Sequence, residues 1–239
     1  MRLAHPTNRK PISETIADRL LESIRAGQYR PGDVLPTEAE LAQQFDVSRP
    51  TLRESLRRLS ALGVVNIVHG HRAAVCLPGA QTLSCFIDLS VAVDPNGLRD
   101  AIEFRASLET DAVMYAAQRA DAGDIRLLAT LIDQMGRERN DAPHWADLHA
   151  QFHMALMRAS GNRIVMSMYE ALSNTLVLTS RRLREAQPDH DADATFQRHL
   201  DVFNAVKCGD AQLAQAAMAH HFKVAAAVLA RHERTQPPL

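Results

Sequence analysis

The sequence predicts a mainly α protein, with an N-terminal winged helix-turn-helix followed by an all-α antiparallel helical bundle. Three observations predict it. Residues 31–62, PGDVLPTEAELAQQFDVSRPTLRESLRRLSAL, hold two capped helical patterns separated by a tight turn, with a short hairpin pattern behind them. From about residue 97 the apolar positions recur at helical spacing, interrupted by short stops. The composition, 46% apolar with only 5% aromatic, favours an alanine-rich helical protein, and 239 residues suffice for two modest domains. The expected organisation is a head over residues 1–77, a linker over 78–96 with a short apolar helix at 83–93, and a helical body over 97–239.

In the head, Thr37 and Glu40 have capping-box spacing ahead of Leu41 and Ala42, which predicts a helix running to about Phe45. Asp46-Val47 makes the turn. Ser48 caps the next helix, and Pro50 stands in its first turn, where a missing N–H costs little. Leu52, Leu56, Leu59 and Leu62 are expected to form its buried stripe. Arg49, Arg53 and Arg57 lie at i, i+4 and i+8 on another face, with Thr51 near the helix tip. A charged run of this kind is usually a solvated face. Here it follows a capped helix and a short turn, and precedes a strand at 63–68, a His69-Gly70 turn and a return strand at 73–75. Fork-shaped donors on such a helix suit the major groove of DNA. Charge agrees: residues 1–78 carry 11 Lys/Arg against 8 Asp/Glu, the remainder 16 against 20.

The body reads as helices over 97–119, 122–138, 143–159, 162–186, 192–208 and 210–233. Asp-Ala-Gly at 121–123, Ser-Gly-Asn at 160–162 and Cys-Gly-Asp at 208–210 separate antiparallel neighbours. Cys76, Cys85 and Cys208 lack C-x-x-C pairing, so buried reduced thiols are expected rather than a disulfide framework. The N-terminus has no apolar signal region, and the apolar run Val224 to Ala230 is too short to span a membrane, so a cytoplasmic protein is expected.

His149 and His153 stand one helical turn apart on one face. His199 lies ten residues before the Gly209-Asp210 turn and His221 eleven after Asp210, so both are roughly 15 Å from it and an antiparallel hairpin brings them level. Four imidazoles then converge, a donor set suited to zinc, nickel, copper or iron. A single histidine on an apolar helix is more often a hydrogen-bonded core residue; the shared register is what favours a metal site. His220 competes with His221, and Asp147 is an alternative oxygen ligand on a different face. His144, His190 and His232 read as surface. Arg105 shares a stripe with Ile102, Leu108 and Ala112, either as a surface cation paired with Glu109 or as a cation aimed into a pocket.

Residues 10–76 resemble the N-terminal domain of GntR-family bacterial transcription regulators, on the run Gly27 to Glu38, then Leu41-Ala42, Val47-Ser48-Arg49 and Leu52-Arg53-Glu54. The resemblance implies DNA contacts from Arg49, Thr51, Arg53, His69 and Gly70. The chain departs from the family pattern at Ala39, where arginine is frequent, and around Arg72, where a second wing glycine is frequent.

Residues 97–232 resemble the FadR C-terminal (FCD) effector domain. The marks are Arg105 to Glu109, Phe152 to Leu156, Ala159 to Asn162, His199, Gly209-Asp210, Met218 and His221. This resemblance implies a metal held by His149, His153, His199 and His221, with His149 where an aspartate is usual. It also turns Arg105 inward, onto the carboxylate of an effector.

The function expected is a homodimeric DNA-binding regulator, repressor by family habit. It would read an inverted repeat in double-stranded DNA under control of a small organic acid and a divalent transition metal such as zinc or nickel. The alternatives are a metal-free acyl- or carboxylate-sensing regulator and a metalloenzyme. The absence of an H-E-x-x-H glutamate, a nucleophile elbow or a phosphate loop argues against the enzyme.

Overall fold

The computed structural model describes residues 10–68, 72–77, 79–94, 96–139, 141–172, 175 and 191–235. The chain divides into two compact units after Thr82. In the first, α1 (Ile12–Arg25), α2 (Glu38–Gln44) and α3 (Arg49–Ala61) precede the antiparallel pair β1 (Val65–Val68) and β2 (Arg72–Val75). The register joins Val65 to Val75 and Val68 to Arg72, and Val34 adds an isolated bridge to Ala74. Val65, Ala73 and Val75 of the hairpin are buried with Leu20 of α1, Leu41 of α2 and Leu52 of α3 in one apolar core.

Local chemistry explains these helix ends. The Thr37 hydroxyl accepts from the Glu40 N–H at 3.3 Å, while the Glu40 carboxylate accepts from the Thr37 N–H at 2.7 Å, satisfying two orphan donors at the start of α2. The Ser48 hydroxyl accepts from the Thr51 N–H at 3.3 Å, with Pro50 in the first turn of α3. Asp46 takes φ 52°, the left-handed conformation that turns the chain between the two helices. One expectation fails at the far end. Leu52, Leu56 and Leu59 are buried, but Leu62 is 55% exposed, because α3 ends at Ala61 and Leu62 is its cap.

The second unit is helical: α4 (Gln81–Val93), whose first two residues precede the division, α5 (Gly97–Arg119), α6 (Ala122–Arg137), α7 (Ala142–Ala159), α8 (Arg163–Ala171), α9 (Ala192–Lys207) and α10 (Ala211–Thr235). Helix α5 packs against α10 and α7, and α9 against α10 and α6. The core gathers Val113, Leu128, Met135, Phe152, Leu156 and Met218. The single helix expected over 162–186 instead reaches its cap at Leu172, and most of the remainder lies outside the described residues. Much of the expected linker is regular helix, α4. The thiols are less buried than expected, since Cys85 and Cys208 are exposed and Cys76 is half-buried; all three are free.

Turns and caps set the bundle register. Gly161 and Gly209 take φ 64° and 74°, the left-handed stops after α7 and α9. Asp121 accepts from the Gly123 and Asp124 N–H groups and so caps α6. Among the described residues, no helix is long and apolar enough to cross a membrane.

Candidate metal and effector site

Helix α7 carries His149 and His153 one turn apart, and the α9–α10 hairpin brings His199 level with His221. One potential ligand atom from each of the four lies within 4.8 Å of all the others. His153, His199 and His221 are buried and His149 is half-buried. His220 is exposed, as is Asp147, so neither joins the cluster. His144 is exposed and bonded to Asp141. His190 and the His232 side chain lie outside the described residues.

The surroundings fix how the rings present their nitrogens. The His199 Nδ1 lies 2.7 Å from the Thr195 carbonyl oxygen, which can only accept, so Nδ1 carries the proton and Nε2 keeps its lone pair. The His153 Nδ1 donates to the Glu109 carboxylate, again leaving Nε2 as the acceptor. The Nε2 atoms of His153 and His199 and the Nδ1 of His221 are buried with no hydrogen-bond partner. Buried polar atoms are seldom left so, and three converging ring nitrogens, two of them held with the lone pair free, fit a divalent cation. Trp145, Phe152 and Phe222 pack edge-on against the His199 and His221 rings.

Electrostatics favour neutral imidazoles. Burial, reinforced by His153, lowers the His199 pKa to about 3. Burial and the neighbouring imidazoles also hold His149 and His221 well below the usual histidine range, with Arg105 adding to the effect.

Arg105 points inward and is also paired with Glu109, so the two sequence alternatives are both partly realised. Its side chain is 3% exposed, its Nε donates to Glu109 Oε1 at 3.0 Å, and its guanidinium lies 5.4 Å from the Phe222 ring centroid. Burial alone would raise the Glu109 pKa, but His153 and Arg105 outweigh it and hold the carboxyl below its usual range. Glu109 therefore links the arginine to a histidine of the cluster, a role the sequence reading missed. Tyr169 of α8 was also missed: it is fully buried, with its hydroxyl near the Arg105 guanidinium.

In the head, Arg49 and Arg53 are exposed and Thr51 is half-buried, its hydroxyl 2.8 Å from that of Ser48. The Arg53 Nε donates to Glu38 of α2 at 2.8 Å. His69 and Gly70 lie outside the described residues.

Comparison with known proteins agrees with this arrangement. Residues 12–75 match the bacterial regulatory proteins of the gntR family, and residues 100–224 match the FCD domain. The chain is 32% identical over 222 residues to the HTH-type transcriptional repressor NanR of Klebsiella aerogenes, covering 91% of this chain and 85% of that protein. It is 30% identical over 220 residues to the NanR repressor of Edwardsiella tarda, covering 90% and 84%. The solved structure of Streptococcus agalactiae GntR is similar in fold, with a TM-score of 0.65 and 24% identity, covering 90% of this chain and 99% of that one. The chain therefore belongs to the GntR family of DNA-binding transcription regulators and carries its FCD domain. It is a regulator and not an enzyme.

Proposed function

We propose that this protein is a homodimeric, cytoplasmic transcriptional repressor whose helical body binds a divalent transition metal and a small carboxylate effector. One recognition helix contacts few base pairs, so two heads on an inverted repeat are the usual route to specificity. Arg49, Thr51 and Arg53 would supply contacts from α3, with His69 and Gly70 from the turn between the strands.

The observation that carries the metal reading is the convergence of three buried, unpartnered imidazole nitrogens beside His149. His149, His153, His199 and His221 would hold the ion, zinc or nickel being suited to an all-imidazole set. When bound, the ion would supply a Lewis acid for the oxygens of a chelating effector. Glu109 holds His153 in the tautomer that presents Nε2, and Arg105 offers the cation for a carboxylate. Effector binding changes DNA affinity only if the effector prefers one arrangement of the body over another.

Elemental analysis of untagged protein prepared without chelator tests the metal. A near-stoichiometric transition metal is expected in the parent, lost in His153→Ala and in His199→Ala. Parent protein that retains no metal after incubation with zinc or nickel would sink the metal reading and favour the metal-free carboxylate sensor.

A further inference from the structure

A metal satisfies the orphaned imidazoles but not every orphaned donor near them. Arg198 of α9 is half-buried, and its Nε is fully enclosed without a hydrogen-bond partner. Its Nη2 donates to the Thr195 hydroxyl at 2.7 Å, while the Thr195 carbonyl accepts from His199 Nδ1 at 2.7 Å. Thr195 stands at i−3 from Arg198 and i−4 from His199, so one residue, through its hydroxyl and its carbonyl, contacts both of these neighbouring side chains. An enclosed N–H left unbonded beside a ligand cluster is costly unless something else supplies the acceptor.

The charges point the same way. Glu109 is the buried acid bonded to the cluster among the described residues, and Arg105 already neutralises it. Asp191 lies near enough to act on Arg198, but it is exposed at the N-cap of α9, where it accepts from the Ala194 N–H. A divalent ion on four neutral imidazoles, together with the Arg198 guanidinium, is then left without a compensating anion. The two arginines also flank the cluster from different helices. Arg105 acts electrostatically on His149 and His221, and Arg198 on His199 and His221. The buried Tyr169 hydroxyl adds a further polar group beside Arg105.

We propose that Arg198 is a second anion-recognising residue of the effector site, and that the effector is a chelating acid with two anionic groups. One carboxylate meets Arg105 and the metal, and the second acidic group meets Arg198. This rests on the metal-and-carboxylate reading of the same site and narrows its ligand class to dianions.

The test is calorimetric titration of zinc-loaded, full-length protein with L-malate and L-lactate, 2-hydroxy acids that differ by one carboxylate, and with the hydroxyl-free pair succinate and propionate. In the parent, each dicarboxylate should bind at least about tenfold tighter than its monocarboxylate partner, the scale expected for one buried charge-assisted hydrogen bond. Arg198→Gln should abolish that ratio with zinc content and monocarboxylate affinity unchanged, and Arg198→Lys should retain part of it. Equal affinities in the parent, a ratio that survives Arg198→Gln, or no binding of any of the four acids would overturn the proposal. Zinc content is read separately. Protein that holds no zinc yet keeps an Arg198-dependent dicarboxylate preference would refute the metal and the chelation, and leave only the role of Arg198 toward the second acidic group standing.

Discussion

Glu109 is the residue on which the interior of the body turns. It joins a cation on its own helix to a histidine 44 positions away, so removing its charge unpairs Arg105 and frees the His153 tautomer together. The four histidines were legible in the sequence, because i, i+4 spacing and equal distance from a turn are one-dimensional quantities. Glu109 was legible only as the neighbour of Arg105; its bond to His153 depends on how α5 packs against α7. The Arg198 donor was illegible for a related reason, since enclosure and the lack of a partner are properties of the packed bundle.

The neutral cluster also sets a pH dependence. With His199 near 3 in the folded chain and near 6.5 when unfolded, the unfolded state binds more protons between those values, so stability is full above about 6.5 and declines as pH falls. Lowering pH from 7 to 5 should cost chelator-stripped protein about 2 kcal/mol from His199 alone. Denaturant midpoints at the two pH values check this. An unchanged midpoint would mean that the cluster takes up protons without cost.

At the scale of elements, the caps made most helix starts readable. Thr37, Ser48 and Asp121 each perform in the structure the capping chemistry that their type and spacing suggest. Helix α1 lies upstream of the recognised motif and begins after Pro11 without a side-chain cap, so it carried a weaker signal. The α4–α5 junction falls just before Gly97, and its constraint is a close approach. A Cβ on Gly97 would stand 2.6 Å from Val91 Cα and 2.8 Å from the Ser90 carbonyl oxygen, both backbone atoms. Gly97→Ala should therefore destabilise the body by about 1–3 kcal/mol despite the better helix propensity of alanine. Thermal unfolding would show this as a lowered midpoint, whereas a midpoint at or above the parent's would mean that the junction relaxes freely.

For the molecule as a whole, a mildly basic N-terminal segment and an acidic remainder separate the two tasks along the chain, and this was visible from composition. The pairing of Arg53 with Glu38 was not, because those residues are 15 positions apart on different helices. Arg53→Ala should weaken operator binding about 10- to 100-fold in a salt-controlled gel-shift titration, the loss expected for one base-contacting arginine. It should leave folding nearly unchanged, because Arg53 is half exposed and ion pairs open to solvent on one side contribute little. Unchanged affinity would remove Arg53 from the reading surface.

The same pair bears on how a regulator finds one address among a genome of near-identical phosphates. Any DNA that engages Arg53 must first draw it away from an acid the protein itself supplies. A backbone phosphate and a guanine edge can each accept two parallel bonds from a guanidinium, but only the guanine carries sequence. Glu38 would thus lower the affinity of every complex in which Arg53 engages DNA. Glu38→Ala should tighten binding to the operator and to unrelated duplex, which paired gel-shift titrations would read; unchanged affinity for both would mean that Arg53 reaches DNA without leaving Glu38.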